Sequence, residues 1–157
     1  MTGKPAIGVV MGSAIAPEQL VSGARTAESV GFDEIWLAED YFFTGGISGA
    51  TMVLDATEHI RVATGIVSAV VRHPAVLAME IATISRVHPD RFTAGIGLGV
   101  PAWIRQMGLH PRSSLAAMRV EVHTSDREPV FVALDRAREV STRRVQNDVP
   151  LEHSENS

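Results

Sequence analysis

The sequence predicts an α/β protein: a parallel sheet covered by helices. Two observations carry this. Apolar runs of strand length alternate with segments whose apolar residues recur at helical spacing. The four clearest strands also begin about 30 residues apart, the length of one βαβ unit. Two architectures fit that pattern, an open doubly wound sheet and a (β/α)8 barrel.

The elements follow in order. "AIGVVM" (6–11) is a continuous apolar run and the first strand. Pro17 suits a first helical position, Leu20, Ala24 and Ala27 share one face of the helix, and Gly31 stops it. "DEIWLAE" (33–39) is the second strand. A short helix is expected around "ATMVLDATE" (50–58), then a third strand, "IRVATGIVSA" (60–69). His73-Pro74 opens the next helix, with Leu77, Ile81 and Ile84 on one face and Pro89 at its end. "RFTAGIGLG" (91–99) is the fourth strand.

Bulk properties narrow the function. The chain has 157 residues, 45% of them hydrophobic, enough for one domain with a core. Its net charge is −4 with no dense basic run, which argues against nucleic acid as a partner. There is no cysteine, hence no disulfide, thiolate metal site or cysteine nucleophile. The N-terminal stretch has no charged leader or cleavage pattern and no span-length apolar run, so a cytoplasmic protein without membrane contact is expected. All 13 glycines lie at or before Gly108, whereas the part from Leu109 on carries seven of the 14 basic residues. The end of the chain is a different kind of sequence from the body.

In either architecture ligands sit at the carboxyl ends of the parallel strands. After the second strand comes "EDYFFTGG" (39–46), two carboxylates and three aromatics. They suit a planar ring with a polar edge, and equally a surface loop whose aromatics pack on a helix. Gly65 interrupts an apolar run, which marks a bulge, a close approach or a packing glycine. Arg72 is placed to pair with a carboxylate, and His73 to cap the following helix. The stretch "RFTAGIGLGVPAW" (91–103) imitates a nucleotide loop, but its glycines are spaced G-x-G-x-G and follow the fourth strand. A dinucleotide fingerprint needs G-x-G-x-x-G in the first βα turn. A barrel strand kept slim by glycine, ending where backbone can approach a flat ligand, is the better reading. The six histidines form no metal-binding spacing, and Ser113-Ser114 lacks a nucleophile-elbow context.

Taken in order, "GFDEIWLAEDYF" (31–42), "RVATGIVSAVVRHPAVLAMEIATISRVHPDRFTAGIGLGVPAW" (61–103) and "IRQMGLHPRS" (104–113) resemble the luciferase-like monooxygenase superfamily. Within it the likeness is to the flavin- or F420-dependent oxidoreductases, including methylenetetrahydromethanopterin reductase-like members. The resemblance implies a TIM-type barrel that binds FMN or coenzyme F420 at its strand ends and passes hydride to or from a small organic substrate. It implies that Asp40 and Tyr41 lie beside the ring, that Gly65-Ile66 forms a non-prolyl cis peptide against its back face, and that Ser68 contacts the coenzyme. Gly97, Gly99 and Val100 would line its far edge. The sequence departs from the family pattern twice. "GVPAW" (99–103) offers no carboxylate where some members carry a glutamate proton donor, and Tyr41 stands where the luciferase type has histidine. No catalytic acid or base is therefore assigned.

The resemblance covers about residues 4–119. Residues 1–119 are read as the N-terminal half of the barrel, and 120–157 as a divergent or poorly ordered tail. Within that tail 127–144 suits a short strand or helix. The expected fold is a truncated (β/α)8-type barrel, its first four β/α units plus an irregular C-terminal tail. Four parallel strands leave two unpaired edges and an open inner face, which predicts a homo-oligomer and weak coenzyme affinity. Two other functions compete: a non-catalytic half-barrel remnant or self-associating module, and a small flavodoxin-like domain. The latter needs a phosphate loop after the first strand, where only Gly12 and Ser13 are available.

Overall fold

The computed structural model describes residues 5–109, 111 and 130–132, the last three as backbone only. The first strand, β1 (Gly8–Met11), leads into helix α1 (Pro17–Ser29), with Pro17 in its first turn as the sequence predicts. Strand β2 (Glu34–Leu37) follows. Helix α2 runs Gly46–Ala56, starting four residues before the expected helix and ending two before its end. Glycine-rich sequence reads as loop because glycine is a poor helix former. Here tertiary contact overrides propensity: Gly46, Gly49 and Ala50 are buried, and the Glu39 carboxylate accepts the Gly46 N–H at 2.7 Å.

The expected third strand is split into β3 (Arg61–Thr64) and β4 (Val67–Ser68). Both pair with β5 (Phe92–Gly97), but the register slips by one residue, from Val62 opposite Phe92 to Val67 opposite Ile96. The extra residue is the signature of a bulge. It falls at Gly65-Ile66, which is a cis peptide. Helix α3 (Pro74–Val87) lies between β4 and β5, its N-terminus capped by His73, whose Nδ1 accepts the Ala75 N–H at 3.2 Å. A short α4 (Pro101–Gln106) follows β5.

A further strand, β6 (Val130–Val132), lies inside the 127–144 segment and pairs with β5 through Ala94 and Val130. The body–tail boundary near 119 and the rest of 120–157 lie outside the described residues.

Every strand pair is parallel, and the strands line up in chain order: β1, β2, β3 with β4, β5, β6. A doubly wound sheet reverses its strand order at a switch point. None occurs among the described residues, so the sheet is an arc of a (β/α) barrel. One face packs on the helices, where Ile35, Val53, Leu54, Val62, Leu77, Ile81 and Phe92 are almost fully buried. Each such side chain contributes about 1.5–3 kcal/mol on burial. The other face carries Trp36, whose indole N–H donates to Glu34, and the Glu34–Arg61 ion pair. Val10, at the β1 edge, is 71% exposed.

Gly95 of the fourth strand has a structural cause. A Cβ on Gly95 would lie 1.9 Å from the Thr64 carbonyl oxygen. Only glycine lets β3 and β5 approach there. The glycine is needed by sheet packing, and a phosphate loop is not required to explain it.

Candidate functional site

The carboxyl ends of β2, β3, β4 and β5 enclose a cavity of about 370 Å³. Seven of the eight residues singled out from the sequence border it: Asp40, Tyr41, Gly65, Ile66, Ser68, Gly99 and Val100. The eighth, Gly97, does not. It lies within β5, buried and paired with Ser68.

Asp40 is held from β1's side of the sheet. The Ser13 hydroxyl, which follows β1, donates to its Oδ2 at 2.6 Å. The Asp40 carbonyl then accepts the Phe43 N–H at 3.0 Å, closing a tight turn. Inside that turn Tyr41-Phe42 is a second cis peptide, one that no residue pattern there announces. The turn leaves Phe42 and Phe43 71% and 61% exposed beside the cavity.

Tyr41 points the other way. Its ring meets Trp103 of α4 edge-on, with centroids 6.2 Å apart. Its hydroxyl oxygen is buried and has no hydrogen-bond partner. The nearby Ser68 hydroxyl is already engaged, donating to Leu98 O at 2.8 Å and accepting from the Val70 N–H at 3.2 Å. Burial raises the Tyr41 pKa, and the Glu39 charge adds to this, while Ser68 and Arg72 oppose it. The phenol therefore stays protonated at neutral pH, a buried donor whose neighbour Ser68 Oγ keeps a lone pair towards it but forms no full hydrogen bond with it. A buried polar group left unpaired is costly, and one at a cavity wall is open to completion by a ligand.

The β5 end supplies the facing wall. Gly99 has φ +79°, and a Cβ there would lie 3.0 Å from Ser68 Oγ. Side chains other than glycine would strain the backbone and crowd Ser68. From below, Trp36 supports the bulge, since a Cβ on Gly65 would approach its ring to 3.2 Å.

Two functional-site residues were only half visible from sequence. Glu39 is buried, and its carboxylate receives a two-pronged grip from Arg72, at 2.7 and 2.6 Å. The hydrogen bonds to Glu39 raise the Arg72 pKa against the opposing effect of burial, so the guanidinium stays charged. The carboxylate expected for Arg72 is thus Glu39, 33 residues earlier. Nothing local in the sequence singles it out from Asp40 beside it. Among the described residues no group of three or more His, Cys, Asp or Glu could hold a metal ion, and no helix is long and apolar enough to cross a membrane.

A chain-ordered parallel arc with a cavity at its strand carboxyl ends is the architecture of part of a β/α barrel. The chain belongs to the luciferase-like monooxygenase family, whose family model matches residues 4–123. It is 28% identical over 103 residues to the 5,10-methylenetetrahydromethanopterin reductase of Methanolobus tindarius, covering 61% of this chain and 32% of the reductase. It superposes on the coenzyme F420-dependent tetrahydromethanopterin reductase of Methanopyrus kandleri with a TM-score of 0.61 at 25% identity, over 68% of this chain and 30% of that one. The FMN complex of 3,6-diketocamphane monooxygenase from Pseudomonas putida shares the fold, with a TM-score of 0.60 at 22% identity over 66% of this chain and 32% of that one. The chain spans about a third of the length of the relatives it matches.

Proposed function

We propose that this chain forms the ring-binding wall of a flavin- or F420-dependent oxidoreductase acting on a small organic substrate. The observation that carries this is the buried Tyr41 hydroxyl, a protonated donor without a partner at a cavity of ring size. The residues fit such a group. Tyr41 offers a donor to its polar edge, Gly65 and Ile66 offer backbone to one face, and Gly99 with Val100 leave room at the far edge. Asp40, oriented by Ser13, would stand beside the ring. FMN or coenzyme F420 supplies hydride chemistry when bound, and the protein contributes position and exclusion of water.

Tyr41 also holds the proton best placed to serve a developing negative charge, since the region after β5 has no carboxylate. The setting we assign is cytoplasmic, with no nucleic acid or membrane partner. We further infer self-association: β1 pairs only with β2 among the described residues, and Val10 on that edge is 71% exposed. Light scattering after size-exclusion chromatography should show an oligomer that dissociates on dilution; a monomer at every concentration contradicts it.

The test of the cofactor reading is a titration of the purified chain with FMN and, separately, with F420. Trp36 lies against Gly65 and Trp103 against Tyr41, both residues of the cavity wall, so tryptophan quenching and coenzyme fluorescence should both report binding. Saturable binding of one coenzyme, weakened by Asp40→Ala, is expected. Binding of neither would remove this reading and leave the family membership intact.

A further inference from the structure

The Glu39–Arg72 pair is the most deeply buried ion pair among the described residues, with side chains 3% and 21% exposed. Its hydrogen bonds are spent on the protein. Glu39 Oε1 accepts from Arg72, and Oε2 accepts from both Arg72 and the Gly46 N–H. Gly46 has no space for a side chain, since a Cβ would lie 2.9 Å from Val67 and 3.1 Å from Glu39 Oε2. Arg72 Nε also lies 4.0 Å from Glu80 Oε2 of α3. One ion pair thus joins the end of the β2 segment, the first residue of α2 and the start of α3.

Between the two anchor points, Glu39 and Gly46, lies the loop that carries Asp40 and Tyr41. Its other ties are few: the Asp40–Phe43 turn, the Ser13 bond to Asp40 and a 3.4 Å bond from the Thr44 hydroxyl to Ile15 O. We propose that Glu39 and Arg72 act as a positioning pair, fixing the loop that holds the Tyr41 side chain against the cavity wall. Neither needs to touch the bound ring. This rests on the reading of the cavity as a coenzyme wall, but its test does not need the coenzyme. A buried pair of this kind is poor evidence for stability on its own, since apolar side chains of like volume often serve that purpose better. Its placement two residues from Tyr41 gives it a different use.

The charges facing Tyr41 are Glu39, from its own loop, and Arg72, from the turn before α3. Ser68 of β4 and Trp103 of α4 face it as neutral groups. Asp40 adjoins it in sequence and is engaged by Ser13. Glu80 faces Arg72.

Tyr41 is the sole tyrosine of the chain, so ultraviolet absorbance of its phenolate reads its titration directly in the intact protein. Arg72→Met should move that titration to higher pH, because the cation that favours the phenolate is gone. Glu39→Gln should move it to lower pH, because Arg72 then acts unopposed. Arg72→Lys keeps the charge without the planar fork and should stay close to wild type. The double variant Glu39→Gln/Arg72→Met should also return towards wild type. A fold merely loosened by these changes would admit water and lower the titration in every variant. A shift of both single variants in the same direction, or no shift in either, overturns the proposal. Where Arg72→Met gives no cooperative melt, Arg72→Lys and Glu39→Gln decide. A lysine variant near wild type with a glutamine variant below it supports the pair, and equal lowering in both overturns it. If wild type binds neither FMN nor F420, the titration result still stands by itself, and a failed titration leaves the binding result untouched.

Discussion

The two ends of the sheet are built on opposite rules. At the amino end of the strands, three charged side chains are tied into hydrogen-bond clusters, although the buried Ser85 hydroxyl near the end of α3 has no partner. Arg91, just before β5, makes five hydrogen bonds, to Leu54 O, Thr57 O, Thr57 Oγ1 and twice to Ile60 O. Glu28, near the end of α1, collects the N–H groups of Glu58, His59 and Ile60 as the chain enters β3. Asp33 accepts the Ile7 N–H ahead of β1. At the carboxyl end a hydroxyl is buried without a partner, two phenylalanines face solvent and a cavity remains open. In β/α barrels the first end serves stability and the second serves chemistry. The contrast holds here although the chain covers only part of its relatives' length.

Changes at the amino end should therefore cost stability and leave the cavity alone. Arg91→Ala is expected to have the largest effect. It strands the Ile60 and Thr57 carbonyls and leaves the buried Thr57 hydroxyl with only its bond to Val53 O, at roughly 3 kcal/mol. Chemical denaturation should show that loss. The affinity for FMN or F420, whichever binds, should change less than twofold below the unfolding transition. A large affinity loss in a fully folded Arg91→Ala protein would erase the division between the ends.

Glu28→Gln is the next step down, about 1 kcal/mol, because a neutral amide oxygen accepts hydrogen bonds more weakly than a carboxylate. Its pH dependence gives the sharper reading. Burial works against the charged Glu28 carboxylate, but the N–H groups of His59, Ile60 and Glu58 and the charge of Arg91 outweigh it. The carboxyl is held below its ordinary range. A group whose folded pKa is depressed contributes stability above its unfolded pKa and loses it as pH falls through the folded value. Wild type should exceed Glu28→Gln in stability at neutral pH, and the gap should close as the solution is acidified below the ordinary glutamate range. A gap constant with pH would mean that the carboxylate charge does nothing there.

What the sequence made readable divides along physical lines. The strands at 6–11, 33–39 and 91–99 and the helices begun by Pro17 and Pro74 were placed by apolar periodicity and proline, both local signals. The start of α2 was not, because a glycine at 46 reads as loop until Glu39 is known to sit against it. The split of the third strand was half visible: Gly65 flagged an irregularity, but the one-residue slip against β5 depends on a partner 29 residues away. The strand at 130–132 is three residues long, too short for periodicity to declare it. In the site, Asp40, Tyr41 and the Gly65 bulge came from strand-end position together with the family resemblance. Glu39 is legible only as one of two carboxylates after the second strand, because a carboxylate there looks the same whether it faces a ligand, an arginine or water. Gly97 lies within β5 and Gly99 beyond its end, a difference that glycine spacing alone does not show.

At the carboxyl end the smallest change in stability should carry the most information. Tyr41→Phe removes one oxygen, keeps the ring against Trp103 and leaves the Glu39–Arg72 pair in place. In an ordinary core that substitution breaks a hydrogen bond and costs about 1 kcal/mol. Here the hydroxyl has no partner, so its removal takes away an unpaired buried dipole. The protein should melt at the same temperature or slightly higher, a gain of about 0.5–1 kcal/mol. Coenzyme affinity should move the other way, falling by about 1 kcal/mol, roughly fivefold, as one donor to the ring is lost. Opposite signs in the two measurements are the mark of a group kept for binding at the expense of the fold. If Tyr41→Phe lowers stability and leaves affinity intact, the hydroxyl belongs with the fully partnered groups of the other end, and the assignment of the cavity to a coenzyme loses its main support.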